Sequence, residues 1–289
     1  MKTLITGGAG FIGKHVLNSV DSGISFDLHK INNTDIIGNL NNEQDIDLAT
    51  KDKDCVLHLA AISRVSDCQE NPQKCINVNI LGTVNVLEAS VKNGVKLFGL
   101  ISTGEVTWIQ NNDEIKSFKP IDNIYGVSKL TDELILDIYC KEHDLQGIIF
   151  RISSVVFGGT DDNQKKVLPI FINKALKGED ITVNNINSKW DFIHVSDVAK
   201  KINDTIQNPT LDTKKGLKEV EITSGVVLNL LDLAKIIHFL VKSTSKIKYI
   251  DTEINNISKD MFNKIVDNNK VNTNFIKNLE STIAEYKRK

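Results

Sequence analysis

Thr3-Leu4-Ile5-Thr6-Gly7-Gly8-Ala9-Gly10-Phe11-Ile12-Gly13 decides the fold. Thr3 to Thr6 predicts a short strand, and Phe11 to Val20 predicts a helix that opens directly after the glycines. A turn of this kind lets backbone N–H groups from Gly7, Gly10, Phe11, Ile12 and Gly13 approach a pyrophosphate, and the positive end of the helix adds its pull. The spacing is Gly-x-x-Gly-x-x-Gly. Glycines alone would mean only a tight turn, but with a strand before and a helix after they predict a dinucleotide site. Asp27, near the end of a second strand read at Ile24 to Leu28, is placed to accept hydrogen bonds from the adenosine ribose, which favours NAD. His29 and Lys30 follow at once and would suit the 2′-phosphate of NADP, so NADP stays open.

Outward from this turn, short apolar runs alternate with amphipathic stretches, the pattern of parallel strands joined by crossover helices. Further strands are read at Cys55 to Leu59, Leu97 to Ser102 and Ile148 to Ile152, with helices at Gln73 to Asn93 and Ile124 to His143. In the latter, Val127, Leu130, Leu134, Ile135 and Ile138 recur at helical spacing and predict one buried stripe. Beyond Gly158 the pattern is weaker: helices at Leu168 to Leu176 and Leu230 to Val241, a last helix ending near Tyr286, a strand at Ile181 to Val183, and loops at Asn184 to Ser188 and Asp251 to Asn256. The expected fold class is α/β: a Rossmann-type doubly wound parallel sheet over residues 1–158, and a smaller C-terminal α/β substrate lobe over 159–289, with the chain free to cross back between them.

Composition narrows the partners. The 289 residues are 40% hydrophobic and 25% charged, a globular mixture, and 35 Lys and Arg against 37 Asp and Glu leave a net charge of −2. That balance offers no footprint for nucleic acid or an anionic membrane, so a small-molecule partner is expected. No stretch approaches the roughly 18 apolar residues of a membrane helix, and the N-terminus leaves no room for a signal peptide. Cys55, Cys68, Cys75 and Cys140 form no CxxC pair and have no histidine at ligand spacing. They read as reduced thiols of a cytoplasmic protein, with neither a metal site nor a disulfide scaffold.

Tyr125-Gly126-Val127-Ser128-Lys129 puts a phenol and an ammonium one helical turn apart on one face. A cation beside the phenol stabilises phenolate, which would lower the tyrosine's pKa and make it a general base or acid near neutral pH. Leu100-Ile101-Ser102-Thr103-Gly104-Glu105 ends the preceding strand and offers hydroxyls and a carboxylate, with Thr103 placed to hydrogen-bond the reacting oxygen.

Glycine turn, Tyr-x-x-x-Lys and Ser-Thr pair together resemble the extended short-chain dehydrogenase/reductase superfamily, in particular its NAD-dependent epimerase/dehydratase family of nucleotide-sugar enzymes. Cys55-Val56-Leu57-His58-Leu59-Ala60-Ala61 is similar to the strand and turn that pass under the cofactor, and Asn79-Ile80-Leu81-Gly82-Thr83 to the Asn-x-x-Gly-Thr segment whose Asn positions the active site. Trp190-Asp191-Phe192-Ile193-His194-Val195-Ser196-Asp197 resembles a stretch of the substrate lobe, and Ser224-Gly225 a later loop of it.

The resemblance implies oxidation and reduction of a sugar carbon on a nucleotide diphosphate. Tyr125 would be the base, Lys129 would orient cofactor and phenol, and Thr103 would hold the sugar hydroxyl. It assigns Leu59, Ala60, Ala61 and Asn79 to the cofactor, Asn39 and Leu40 to the adenine side, and Glu105, Ser154, Lys189 and Trp190 to the substrate. Trp190 stands where an arginine usually meets the nucleotide, and Lys189 can replace that charge. Gly104 stands where dTDP-glucose-type 4,6-dehydratases carry the acid that protonates the departing 6-hydroxyl. A 4-epimerase of UDP-hexose type acting through a transient 4-keto sugar is therefore expected. A 4-keto-sugar reductase using NADPH, a dehydratase lacking its usual acid, and a non-enzymatic cofactor-binding scaffold are the alternatives. The family further implies a homodimer paired through the helices at Gln73 to Asn93 and Ile124 to His143, and a role in polysaccharide precursor synthesis.

Overall fold

A computed structural model of the chain describes residues 1–31, 34–106, 108–111, 115–118, 121–152, 155–159, 166–184, 186–209 and 216–288. Packing divides it into two compact units, residues 1–153 with 198–222, and residues 154–197 with 223–289. The first unit thus takes in a stretch from beyond Gly158.

In the first unit the order is β1 (Thr3–Thr6), α1 (Phe11–Ser19), β2 (Gly23–Asp27), β3 (Ile36–Ile37), α2 (Glu43–Thr50) and β4 (Cys55–His58). Then come α3 (Val65–Glu70), α4 (Pro72–Cys75), a π-helical turn at Ile76–Leu81, α5 (Gly82–Lys92), β5 (Leu97–Thr103), a small hairpin of β6 (Trp108–Asn111) and β7 (Ile115–Phe118), α6 (Ile124–Glu142) and β8 (Gln146–Ile152). Strand Leu217–Ile222 completes a seven-stranded sheet in the order Leu217–Ile222, β8, β5, β4, β1, β2, β3, and every pairing in it is parallel. The central strands β1 and β4 are buried at every position, as sheets with both faces covered require. Leu4, Phe26, Val56, Phe98, Leu100 and Leu136 are among the core residues between sheet and helices.

The second unit holds two three-stranded sheets. In one, Lys189–His194 lies between Val155–Phe157 and Val227–Asn229, and in the other Ile247–Tyr249 lies between Ile181–Thr182 and Thr252–Ile254. Helices Val167–Lys177, Leu230–Val241, Lys259–Asn268 and Thr273–Lys287 pack over its own apolar core around Phe157, Phe171, Phe192 and Leu233. Asp191 ties this unit internally, accepting from the Thr223 hydroxyl at 2.8 Å and the Ser224 N–H at 3.0 Å.

Three expectations are corrected. The stretch Asp251 to Asn256 contains a strand, Thr252–Ile254, because its residues pair antiparallel with Ile247–Tyr249. The α6 stripe is only partly buried: Leu130 and Ile135 are half-buried, but Val127, Leu134 and Ile138 are 45%, 42% and 50% exposed, while Ser128, Lys129, Asp132, Glu133, Leu136 and Cys140 face inward. The inward ionic groups are paired: Glu133 meets Arg151 of β8, which also reaches Glu219 at 2.8 Å and so ties this face of α6 to the sheet, while Lys129 bonds Asp132 on the helix itself. Finally, Cys68 and Cys75 are not free thiols but joined as a disulfide, both buried, whereas Cys55 and Cys140 are free. The chain breaks between α3 and α4 at Asn71-Pro72, and this turn brings the two Cα atoms to 5.1 Å, within disulfide reach.

Candidate functional site

At the carboxyl ends of β1, β2, β4 and β5 the chain leaves the sheet in four turns, the place where open parallel sheets bind ligands. Gly7 has φ +70°, and a Cβ there would lie 2.7 Å from the Ala60 nitrogen. A Cβ on Gly13 would lie 2.0 Å from the Gly7 carbonyl oxygen. Glycine is therefore required at both positions for the first turn of α1 to fold back on the turn. Gly10 is exposed and begins the helix, whose first turn carries no acidic residue and no side-chain cap. Phe11 and Ile12 follow in that first turn, so the helix presents backbone N–H groups where an anionic group is favoured.

Asp27, the last residue of β2, accepts from the Ala9 N–H at 3.2 Å and from the His29 N–H at 3.5 Å. These bonds hold its carboxylate against the turn. Asn39 is exposed after β3, its N–H bonded to Asp45 at 2.9 Å. Leu40 is buried, with its carbonyl accepting from Asn85 at 2.9 Å.

Beneath β1 and β4 lies a buried polar chain. The Thr6 hydroxyl meets His58 Nδ1 at 2.7 Å, and His58 Nε2 meets the Thr83 hydroxyl at 3.0 Å. Thr83 spends its one proton on the Asn79 carbonyl, so Nε2–H donates to Thr83 and Nδ1 accepts from Thr6. Burial, with the Lys129 charge adding, pushes the His58 imidazole down to about 3, so the ring is neutral.

Asn79 sits in the π-helical turn and is 1% exposed. Its amide accepts from the Ile62 N–H at 2.8 Å and donates to the Ile62 carbonyl at 3.1 Å, the Ser128 hydroxyl at 2.9 Å and the Cys75 sulfur at 3.4 Å. Ser128 in turn donates to the Tyr125 carbonyl at 2.7 Å. One side chain thus fixes the Leu59-Ala60-Ala61 loop and the tyrosine helix together. Asn79→Ala strands the Ile62 N–H and should lower unfolding free energy by about 1–3 kcal/mol in urea titration, an unchanged midpoint counting against this linkage.

Asn123 caps α6, accepting from the Gly126 N–H at 2.8 Å, and its amide donates to Glu105 at 2.8 Å. Thr103 ends β5, and its hydroxyl oxygen accepts from the Glu105 N–H at 3.3 Å. Ser102 points the other way, into the buried Glu133 and Arg151 pair. Lys129 Nζ lies 2.8 Å from Asp132 Oδ2, with side chains 3% and 0% exposed. The expected lowering of the Tyr125 pKa is not found. Burial, then the Glu105 and Asp132 charges, push the phenol up to about 12.

The first unit therefore brings Gly7, Gly10, Phe11, Ile12, Gly13, Asp27, Leu59, Ala60 and Ala61 to one edge of its sheet, with Thr103, Glu105 and Tyr125 beyond β5. Lys189 and Trp190 begin strand Lys189–His194 in the second unit, and Ser154 lies outside the described residues. Asn123, Ser128 and Asp132 were not singled out from sequence. Only Asn123 carried a signal, an Asn before a helix. Among the described residues no group of His, Cys, Asp and Glu could hold a metal ion, and no helix is long and apolar enough to cross a membrane.

A parallel sheet with such a turn, and a Tyr and Lys on the helix that follows its fifth strand, defines a Rossmann-type dinucleotide enzyme. The chain belongs to the NAD dependent epimerase/dehydratase family, whose sequence profile matches residues 3–217, and it is by that membership an NAD-dependent enzyme. A Methanocaldococcus jannaschii protein provisionally named UDP-glucose 4-epimerase is 32% identical over 219 residues, 68% of this chain and 70% of the relative. UDP-glucose 4-epimerase of Rickettsia canadensis is 24% identical over 273 residues, 87% of this chain and 74% of the relative. The crystal structure of Thermus thermophilus UDP-glucose 4-epimerase in complex with NAD shares the fold, with TM-score 0.77, 22% identity and coverage of 99% of both chains.

Proposed function

We propose that this chain is a nucleotide-sugar 4-epimerase of the UDP-hexose type, which oxidises C4 of the sugar to a ketone and restores the alcohol with inverted configuration. The observation that carries this reading is the turn Thr103-Gly104-Glu105. A dehydratase needs an acid for the departing 6-hydroxyl, and Gly104 has none, while Glu105 is committed to Asn123 at the start of α6. The carboxylate of Asp27, held at the turn, disfavours a 2′-phosphate and so speaks against an NADPH-consuming reductase. The relatives named for UDP-glucose 4-epimerase activity lend further support.

The residues present fit the dinucleotide. Gly7, Gly10, Phe11, Ile12 and Gly13 would hold its diphosphate, Asp27 its adenosine ribose, Asn39 and Leu40 its adenine side, Leu59, Ala60 and Ala61 its underside, and Lys129 its nicotinamide end, with Asn79 setting the loop below. Bound NAD supplies the hydride acceptor and donor, and in its oxidised form a cationic ring. Tyr125 takes the proton of the C4 hydroxyl and later returns it. Thr103 holds that hydroxyl in line. With the phenol near 12 in the chain alone, a cation close by is what brings it into use at neutral pH. For Glu105, Lys189, Trp190 and Ser154 the assignment to the sugar nucleotide rests on the sequence resemblance.

The exposed aliphatics Val127, Leu134 and Ile138 of α6, with Ile76 and Leu81 of the π-helical turn, support a homodimer paired through these helices. Native mass spectrometry of the purified protein should show two subunits, each retaining one NAD that denaturation releases. Incubation with UDP-glucose should then yield UDP-galactose, or the matching N-acetyl pair. Protein that retains no NAD and interconverts neither pair would remove this proposal.

A further inference from the structure

Lys129 is the residue on which the cofactor and the phenol both depend in the function proposed above, and its ammonium is bound by a carboxylate on its own helix. Asp132 is fully buried, one turn beyond Lys129, and its Oδ2 stands 2.8 Å from Nζ. Its other oxygen, Oδ1, is buried, and besides the lysine the Thr83 hydroxyl of α5 bears on the carboxyl. The carboxylate is therefore compensated chiefly through the lysine. Burial pushes the Asp132 carboxyl up, and the Lys129 ammonium beside it, with the Thr83 hydroxyl, works against that rise. The spacing also restrains the long lysine side chain, because residues three apart share a helix face.

We propose that Asp132 is a positioning residue for the reaction at Tyr125: it fixes the Lys129 ammonium from the next turn of α6 and offsets the charge that the lysine would otherwise direct at the phenol. Other groups set the same field. On α6 these are Tyr125 and Glu133, whose charge Arg151 of β8 answers. Glu105 bears on the phenol from the turn after β5, neutral His58 lies on β4 under the Lys129 charge, and Thr83 contributes a hydroxyl from α5. Among the carboxylates of the described residues, Asp132 is the one bonded to Lys129.

The test is the ionisation of Tyr125, read as the phenolate ultraviolet signal lost on Tyr125→Phe, in the full chain with and without added NAD. This readout needs no sugar nucleotide, so it stands apart from the outcome of the epimerase assay. Asp132→Asn keeps the shape and an acceptor while removing the charge. The Tyr125 midpoint should then move to lower pH by about one unit. If the epimerase assay succeeds, the rise of its rate with pH should move the same way, since losing the Asp132 charge removes one of the causes that raise the phenol. Asp132→Glu, which restores the charge, should return the midpoint toward that of the parent. Should the asparagine variant fail to accumulate, Asp132→Ser, which leaves room for a water at the ammonium, carries the same expectation. A lowered Tm with the Tyr125 midpoint unmoved would make Asp132 structural only and overturn the proposal.

Discussion

Tyr125→Phe is expected to cut the interconversion of a UDP-hexose pair by about 10²- to 10⁴-fold, the range for removing a positioned acid or base. The ring remains, and among the described residues the bonds that seat its helix run through the Tyr125 carbonyl, Ser128, Asn123 and Asn79 and not through the phenol. NAD content and Tm should therefore match the parent. The pH dependence separates chemistry from damage. A base whose phenol stands near 12 before the cofactor binds is mostly protonated at neutral pH, so the parent's rate should rise with pH below the midpoint. The phenylalanine variant should lose that rise. A variant that keeps its turnover within about twofold of the parent would remove Tyr125 from the mechanism.

Gly13→Ala should be the most damaging single methyl in the first unit. The added carbon would lie 2.0 Å from the Gly7 carbonyl oxygen and 2.9 Å from the Gly8 Cα, all backbone atoms with no side chain to swing aside. Either α1 or the turn must shift, at a cost of about 3 kcal/mol or more for overpacking of this severity. Retained NAD should be lost with it, because the same turn would grip the diphosphate. Gly10→Ala is the comparison. Its Cβ would come no closer than 3.1 Å to the Gly7 oxygen, at φ −69°, and should cost far less stability. Urea titration of the two variants, with the released dinucleotide weighed after denaturation, reads both effects. Equal stabilities would show that the crowding at Gly13 is relieved elsewhere.

Much of the first unit was legible because its signals are local. Thr3 to Thr6, the glycines and Phe11 onward obey strand, turn and helix preferences that need no distant contact, and β1 and α1 fall where those preferences put them. The same holds for Leu230–Val241, whose apolar period matches its burial. Helix α2 was missed although Asn42 caps it and Glu43 and Asp45 occupy its first turn, since so short a segment carries little apolar period. Strand Leu217–Ile222 was missed because its membership of the sheet depends on β8, far away in sequence. The run at Gln73 to Asn93 read as one helix. Only the structure shows it interrupted by a π-helical turn that aims Asn79 at both Ile62 and Ser128.

The candidate site was legible in its residue types and not in its electrostatics. Tyr125 and Lys129 were singled out by spacing, but a spacing rule contains no account of burial or of what else reaches the phenol and the ammonium, and burial, with Glu105 and Asp132 adding, reverses the shift expected for the phenol. The cysteines failed for a related reason. Cys68 and Cys75 are seven apart, and nothing in that interval reveals that the break at Asn71-Pro72 folds one over the other.

The reversed dressing of α6, ionic groups inward and aliphatic groups outward, limits how this protein can be recombined with its relatives. A chimera that imports α6 alone would leave Arg151 on β8 and Glu219 on the neighbouring strand facing a foreign surface. Those three segments form the smallest block that can be transplanted with its charges still answered, and exchange points for breeding new specificities belong outside it.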